Sequence, residues 1–319
     1  MQYFQELTQK ILKYTNKSCP IYIACSGGVD STFLVYFYKK IFPKSDIFAI
    51  IVNHNLQNDS VIVANETARI VNSWGCNAVI LQWNHEEILQ SIEEMARIAR
   101  YQLMIDFCKK QNAQNLVVAH HIDDKIETFF MNAMRGTGIR GLTSMREISQ
   151  INGFEIFRPM VNCVFKKDII DFMKIHNISW FEDKTNHDCN FTRNNIRHNF
   201  PLSLKQKYGI LKTISNLEME YMKKLNIFDS FWNENLLNIL QNSDDIQIIF
   251  SKNIINIDDF CARMLLEKSF NIIYKKHREI RQNTIKNFIL WLNSNVLRAN
   301  FCLMNFIKKD NKIICEKNN

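Results

Sequence analysis

Short, largely apolar runs alternate with amphipathic helical stretches through the first half of the chain, and this alternation restricts the fold more than any other feature. The predicted strands are 21–24, 47–52, 78–83, 115–120 and 154–160, and the predicted helices lie near 31–41, 60–74, 86–111 and 166–177. Strands that lack a polar face are typical of a parallel sheet covered by helices on both faces. We therefore predict an α/β, Rossmann-like, parallel-stranded sheet.

The second part of the sequence has a different pattern. A polar segment, 182–201, ends the alternation, and from Leu202 onward the helical period dominates, with little strand character before the tail. A chain of 319 residues is long enough for two domains. We predict the α/β domain at 1–205, followed at 206–319 by a helical linker and a small, mainly helical domain.

Hydropathy and cysteine spacing exclude several classes of protein. The sequence has no run of about 18 uninterrupted apolar residues. Its amphipathic N-terminus lacks the apolar core of a signal peptide, so we expect a cytoplasmic protein with no membrane partner. No two of the nine cysteines lie within three residues of each other, which argues against a zinc site or an iron–sulfur cluster.

Positive charge is concentrated after residue 200. The formal net charge is +8, and residues 201–319 contribute +6 of it, with 18 Lys and Arg against 12 Asp and Glu. A basic part beside a near-neutral part suggests a polyanionic partner. A merely soluble basic surface has the same composition, so charge alone leaves both interpretations open.

A glycine turn between the first predicted strand and its helix carries the strongest functional signal. The turn consists of Ser26, Gly27, Gly28, Val29, Asp30 and Ser31. Adjacent glycines let the backbone approach a ligand closely, and the N-terminus of the following helix favours an anion. Asp30 would repel a bare phosphate, so we expect it to contact magnesium. The alternative is an ordinary turn with Ser31 as the helix cap.

Between its strand and helix, SGGVDS resembles the pyrophosphate loop of the ATP pyrophosphatase superfamily. In that superfamily the loop holds the β- and γ-phosphates of ATP while the α-phosphate is attacked. A substrate oxygen is thereby adenylated and pyrophosphate is released. The resemblance implies that residues 26–31 bind ATP with Mg²⁺, and it leaves the acceptor open.

Five further stretches restrict the acceptor. They are NHNL at 53–56, ARIARY at 96–101, HHIDDKIET at 120–128, RGTGIRGL at 135–142 and a segment from RP to IRH at 158–198. Each one alone has an ordinary explanation, for example as a solvated helix face, acidic partners of a helix dipole or a polar linker. Together and in this order they resemble the tRNA(Ile)-lysidine synthetase family over about the first 200 residues.

This resemblance implies an ATP-dependent ligation of free L-lysine to C2 of the wobble cytidine of isoleucine tRNA with a CAU anticodon. The cytidine would first be adenylated, and lysidine, AMP and pyrophosphate would be the products. The partners would be that tRNA, lysine and ATP, with a homodimer left open. Residues 1–205 would form the PP-loop catalytic domain and 206–319 a linker with a short tRNA-binding domain.

The resemblance also implies roles for individual residues. His120, Asp124 and Glu127 would hold the lysine ammonium and accept its proton, which an amine with a pKa near ~10.4 must lose before it attacks. Arg100 and Arg193 would face phosphate or developing charge near the adenylate. Asp30 completes the predicted catalytic set. The predicted tRNA contacts are Arg135, Arg197, Lys205 and Lys207.

Two of the motifs depart from the family pattern. The family's usual HGLR is His54-Asn55-Leu56-Gln57 here, and its RNRIRH has lost one arginine at Asn195. The chain also ends earlier than many members, so we expect no full second C-terminal domain.

Two other functions stay open at this point. A tRNA cytidine thiolase of the same superfamily would use sulfur as the nucleophile, but such enzymes use paired cysteines, which this sequence lacks. A nucleotide- or RNA-binding module without catalytic activity is the alternative from another class. The intact SGGVDS and HHIDDKIET stretches argue against a loss of catalytic activity.

Overall fold

The computed structural model describes residues 2–53, 60–83, 92–181, 202–242, 245–255, 257–275 and 280–318. The chain forms two compact units, Met1–Glu218 and Met219–Asn319. None of the helices in the described part of the chain is long and apolar enough to span a membrane.

The first unit contains a six-stranded, mostly parallel sheet, as predicted. Its strands are β1 (Ile21–Ala24), β2 (Ile47–Asn53), β3 (Asn77–Gln82), β4 (Leu116–Val117), β5 (Ile148–Ile151) and β6 (Phe154–Phe157). The strand order is β3-β2-β1-β4-β6-β5, and β5 alone pairs antiparallel, with β6. The short β5 was not predicted, because its four residues alternate between exposed and half-buried and carry no apolar run.

Helices cover both faces of this sheet. They are α1 (Gln2–Tyr14), α2 (Val29–Ile41), α3 (Ser60–Ser73), α4 (Ile92–Lys110), α5 (Ile122–Met134), the short α6 (Ile139–Leu142) and α7 (Lys166–Ile175). Successive strand residues point to opposite faces. Ile21 and Ile23 therefore pack into one core with Phe33 of α2, whereas Tyr22 packs into the other with Ile105 of α4.

The strand order places two loops side by side. β1 lies between β2 and β4, and Ile23 of β1 is paired with Val117 of β4. β1 leads into the glycine turn, and β4 leads into His120 and His121. Ligands of open α/β sheets bind where the strand order reverses in this way. The fold thus brings the SGGVDS and HHIDD stretches to the same edge of the sheet.

The second unit combines helices with an antiparallel sheet. The boundary between the units falls within a long helix, α8 (Leu204–Asn235), and two more helices follow, α9 (Asp259–Tyr274) and α10 (Gln282–Leu292). The strands are β7 (Leu236–Asn242), β8 (Asp245–Ser251), β9 (Arg298–Phe301), β10 (Met304–Lys309) and β11 (Lys312–Lys317), in the order β7-β8-β11-β10-β9.

The helices of this unit were predicted, but most of its sheet was not. Each central strand buries one face and leaves most of the other half-buried, so apolar residues lie on both faces and the alternation is incomplete over six or seven residues. Phe250, Phe306 and Ile313 lie on the buried face, in one core with Phe288 of α10. A period of two over so short a stretch is easily hidden in a sequence rich in Ile, Asn and Lys.

Candidate active site

The glycine turn has a backbone that requires its first glycine. Gly27 adopts φ +84°, and a Cβ added there would lie 2.4 Å from Oγ1 of Thr67. Only glycine takes up this left-handed conformation without strain. The hydroxyl of Ser31 accepts a hydrogen bond from the Ser26 N–H at 3.0 Å and donates one to the Gly28 carbonyl at 3.1 Å. These bonds hold the turn against the start of α2.

The start of α2 provides backbone donors at this turn. Gly28 is the N-cap of the helix, and the first N–H groups of any α-helix have no partner within it. The side chain of Val29 is buried in the core, so this residue can offer a ligand only its N–H. Such a helix terminus favours an anion such as a phosphate.

Asp30 faces a lysine that the sequence analysis did not single out. The Nζ of Lys166, the first residue of α7, lies 2.8 and 2.6 Å from the two carboxylate oxygens of Asp30. The predicted magnesium contact is therefore paired with an ammonium group. A lysine at the start of a helix carries no signal in the sequence, because only the fold places it over the glycine turn.

His121, at the mouth of β4, is surrounded by three carboxylates. Its side chain is 1% exposed. Its Nε2 lies 3.6 Å from Oδ1 of Asp30 and 3.4 Å from Oδ2 of Asp124, and its Nδ1 lies 3.7 Å from Oδ2 of Asp123. The imidazole thus lies between the glycine turn and the first turn of α5. The sequence analysis gave His121 no role of its own.

Asp123 and Asp124 have separate positions at the start of α5. Asp124 accepts the backbone N–H of His121 at 3.0 Å. Asp123 accepts the backbone N–H of Lys166 at 2.8 Å and is paired with the Lys207 ammonium. Burial tends to raise the pKa of Asp123, but the hydrogen bonds from Lys166 and Lys207 and the nearby His121 outweigh it and lower the pKa.

The remaining predicted carboxylate, Glu127, is also buried on α5. Its exposure is 5%, and that of Asp124 is 8%. Residues three apart on a helix share a face. Asp124 and Glu127 therefore lie on the same face of α5.

His120 is held by a buried arginine. Arg158, one residue after β6, donates from Nε to the Nδ1 of His120 at 3.2 Å. It also donates to the hydroxyl of Ser149 at 2.6 Å, and the Tyr101 side chain of α4 lies close to it. Burial lowers the pKa of Arg158, and contact with Tyr101 opposes that effect. The RP and ARIARY stretches thus meet at Arg158, which in turn contacts His120.

The other predicted residues have diverse surroundings. Arg100 is half-buried on α4, while Arg135 and Lys205 are exposed. Lys207 is paired with Asp123, so it belongs to the carboxylate cluster as the structure stands. Arg193, Arg197 and the 54–57 stretch lie outside the described residues.

The turn fits a nucleotide phosphate better than a structural metal. It offers helix N–H groups, two hydroxyls and a close backbone approach, and Asp30 and Lys166 supply one carboxylate and one ammonium beside them. A magnesium ion that arrives with ATP would find an oxygen ligand in Asp30. In the part of the chain that the structure describes, no group of three or more His, Cys, Asp or Glu side chains is arranged to hold a metal on its own.

Comparison with known proteins identifies the family. A family model for the PP-loop domain matches residues 2–203. A tRNA(Ile)-lysidine synthase from Wolbachia pipientis wMel is 32% identical over 302 residues, which cover 92% of this chain and 69% of that protein. The chain belongs to the tRNA(Ile)-lysidine synthase family of PP-loop ligases.

Other members of the family match a smaller share of their own length. The lysidine synthase of Orientia tsutsugamushi is 31% identical over 63% of this chain and 44% of that protein, and the one from Rickettsia conorii is 36% identical over 56% of this chain and 37% of that protein. The region aligned with this chain thus covers less than half of the length of each of these two relatives.

Among solved structures, the fold resembles that of a U34-tRNA thiolase from Methanococcus maripaludis with its [4Fe-4S] cluster. The TM-score is 0.55, with 15% identity over 68% of this chain and 80% of that chain. At this identity the likeness shows the fold alone.

Proposed function

We propose that the chain ligates free L-lysine to C2 of the wobble cytidine, position 34, of isoleucine tRNA with a CAU anticodon, at the expense of ATP. The observation that carries this proposal is the juxtaposition of the glycine turn with the carboxylates of α5, joined by His121 at 3.6 Å from Asp30 and 3.4 Å from Asp124. An anion-binding turn beside an acidic cluster can hold a triphosphate and an ammonium close to each other.

The first half-reaction would use the turn. With the β- and γ-phosphates against residues 26–31, the C2 carbonyl oxygen of cytosine attacks the α-phosphorus and pyrophosphate leaves. Magnesium would neutralise phosphate charge next to Asp30, and Lys166 adds a second cation there. The predicted arginines, Arg100 and Arg193, would face the developing charge on the α-phosphate.

The second half-reaction would use α5. Adenylation makes the oxygen on C2 part of a good leaving group, AMP. The lysine ε-ammonium loses a proton to the cluster of His120, Asp124 and Glu127, the free amine then attacks C2, and the C–O bond to AMP breaks. A buried carboxylate pair suits this task because it attracts the ammonium and then accepts its proton.

The tRNA contacts remain part of the proposal. Arg135 and Lys205 are exposed and suit phosphate contacts, and Arg197 stays a prediction from the family pattern. Lys207 would act on the tRNA only by leaving Asp123. Because its substrate would be a tRNA, we place the protein in the cytoplasm. On the same basis we propose that residues 1–205 form the catalytic part and residues 206–319 the tRNA-binding part.

The test is incorporation of radiolabelled lysine into isoleucine tRNA with a CAU anticodon, in the presence of ATP and magnesium. We expect labelling of this tRNA and none of methionine tRNA. Asp30→Ala should abolish labelling, whereas Asp171→Ala, which removes an exposed carboxylate of α7, should leave it unchanged. Intact tRNA binding by the unsubstituted protein without ATP-dependent labelling would contradict the proposal and favour another nucleophile or a binding module.

A further inference from the structure

Three cations lie on neighbouring strands of the second unit's sheet, and we call Arg298, Lys309 and Lys312 the sheet cluster. Lys309 is paired directly with Lys312 across β10 and β11. Arg298 is paired with Ile307, two residues before Lys309 and on the same face. With adjacent strands about 4.8 Å apart, the cluster extends roughly 10 Å across the sheet.

The sheet cluster points away from the core of its unit. Phe306 and Ile313 lie on the buried face of the same strands, and side chains alternate between faces. Arg298, Lys309 and Lys312 are all exposed. Within the described residues, none of the three forms a salt bridge with a carboxylate.

Neighbouring groups add to this positive charge. Lys252 follows Ser251, the partner of Lys312 on β8, and its Nζ donates to Oδ1 of Asn311 at 3.4 Å. Lys308 points to the other face, where its Nζ donates to the Trp291 carbonyl at 2.6 Å. Burial lowers the pKa of Lys308, and the charge of Lys252 lowers it further.

The acidic groups nearby do not balance the sheet cluster. Asp310 lies in the exposed turn between β10 and β11. Glu316 is at the opposite end of β11, where its carboxylate accepts a hydrogen bond from Gln247 at 2.7 Å. The hairpin end of the sheet thus keeps an excess of positive charge.

The fold itself does not explain these lysines. Like charges directly opposite each other on paired strands destabilise a sheet. Lysines often protect an edge strand from pairing with another chain, but β10 and β11 each have a neighbour on both sides. Binding of an anionic partner would explain why the sheet carries the pair of Lys309 and Lys312, which by itself lowers the stability of the sheet.

We propose that the sheet cluster binds the phosphate backbone of the tRNA, an inference that rests on the proposed function. Exposed cations suit phosphates, and the release of counterions from the nucleic acid drives such binding. Such contacts position a nucleic acid and carry no sequence information. The cluster therefore supplies affinity for the tRNA body and leaves the choice of the anticodon to the catalytic unit.

The test compares two double variants of the full chain with the same change in charge. Lys309→Gln/Lys312→Gln neutralises the sheet cluster, and Lys223→Gln/Lys286→Gln neutralises exposed lysines of α8 and α10 in the same unit. We measure the Kd for the tRNA against salt concentration. The cluster variant should bind about tenfold more weakly, with a slope of log Kd against log salt reduced by about 1 to 2.

Two further readouts separate this inference from the proposed function and from misfolding. The kcat for lysine incorporation at saturating tRNA should stay unchanged, and the unfolding temperature should stay the same or rise, because a like-charge pair is removed. Equal tRNA affinity of the two double variants would overturn the inference while leaving the reaction intact. Weakened tRNA binding without any lysine incorporation by the unsubstituted protein would instead overturn the proposed reaction and leave the sheet cluster standing.

Discussion

Gly27 is the residue whose backbone most restricts substitution in the glycine turn. We expect Gly27→Ala to lower the free energy of unfolding by about 1–2 kcal/mol, because an L-residue is strained at positive φ. Its methyl group would also collide with Thr67, 2.4 Å away. Chemical denaturation would measure the stability loss, and the KM for ATP should rise because the turn must shift.

The neighbouring glycine offers a matched control for that prediction. Gly28 has φ −69°, and a Cβ there would lie 3.6 Å from Oγ of Ser26, an ordinary contact. Gly28→Ala should therefore cost less stability than Gly27→Ala. Equal losses at the two positions would contradict the backbone argument.

Because of Asp123, the free energy of unfolding of the first unit should depend on pH in the acidic range. Its pKa is lowered from 3.8 in the folded protein, so its contribution is fully present above that value and is lost as pH falls through the lower folded pKa. The stability difference between the unsubstituted protein and Asp123→Asn should be constant from pH 6 to 8 and shrink below about pH 3.8. Urea unfolding across this range measures it.

A carboxylate without such partners provides the comparison. Asp171 is exposed on α7, and Asp171→Asn should have little effect on stability at any pH. A difference for Asp123→Asn that does not diminish in acid would show that its hydrogen bonds to Lys166 and Lys207 do not depend on its charge.

At the scale of elements, α5 is anchored to α8 by a buried ion pair as well as by apolar contacts. Lys125 of α5 is 2% exposed, and its Nζ lies 2.7 Å from Glu218 of α8 and 2.7 Å from Oδ1 of Asn162. Ile122, Ile126 and Ile214 pack between the same helices. The part of α5 that carries the predicted catalytic carboxylates is thereby held against α8.

Breaking this pair should be more harmful than removing both charges. Lys125→Met leaves Glu218 without its partner, and we expect a loss of about 3–5 kcal/mol in the free energy of unfolding. Adding Glu218→Gln to Lys125→Met should restore part of that loss. A double-mutant cycle by chemical denaturation measures the coupling, and strictly additive losses would show that the two side chains act independently.

At the scale of the whole molecule, each unit has its own hydrophobic core. Phe33 belongs to a core of the first unit and Phe288 to that of the second, and both are fully buried. Phe288→Ala should cost about 3–5 kcal/mol in the second unit alone. We expect denaturant unfolding to show two transitions, of which this substitution shifts only one. A single transition that shifts as a whole would mean that the units unfold together.

Several elements of this molecule could be predicted from short-range pattern. The α2 helix was expected from 31 and begins at Val29, and the strand predicted at 47–52 is Ile47–Asn53. Long periodic segments of one type are the clearest signals in a sequence. The half-exposed strands β8, β10 and β11 were missed because six or seven alternating residues give a weak signal beside strong helical periods.

The sequence by itself determined the α/β class, the glycine turn and the spacing that puts Asp124 and Glu127 on one face of α5, because these depend on residues close together in the chain. The tertiary structure decided which side chains meet. Lys166 reaches Asp30 across 136 positions and Arg158 reaches His120 across 38, and both contacts exist only because the strand order brings their loops together. Contacts between distant residues follow from topology, which no local pattern records.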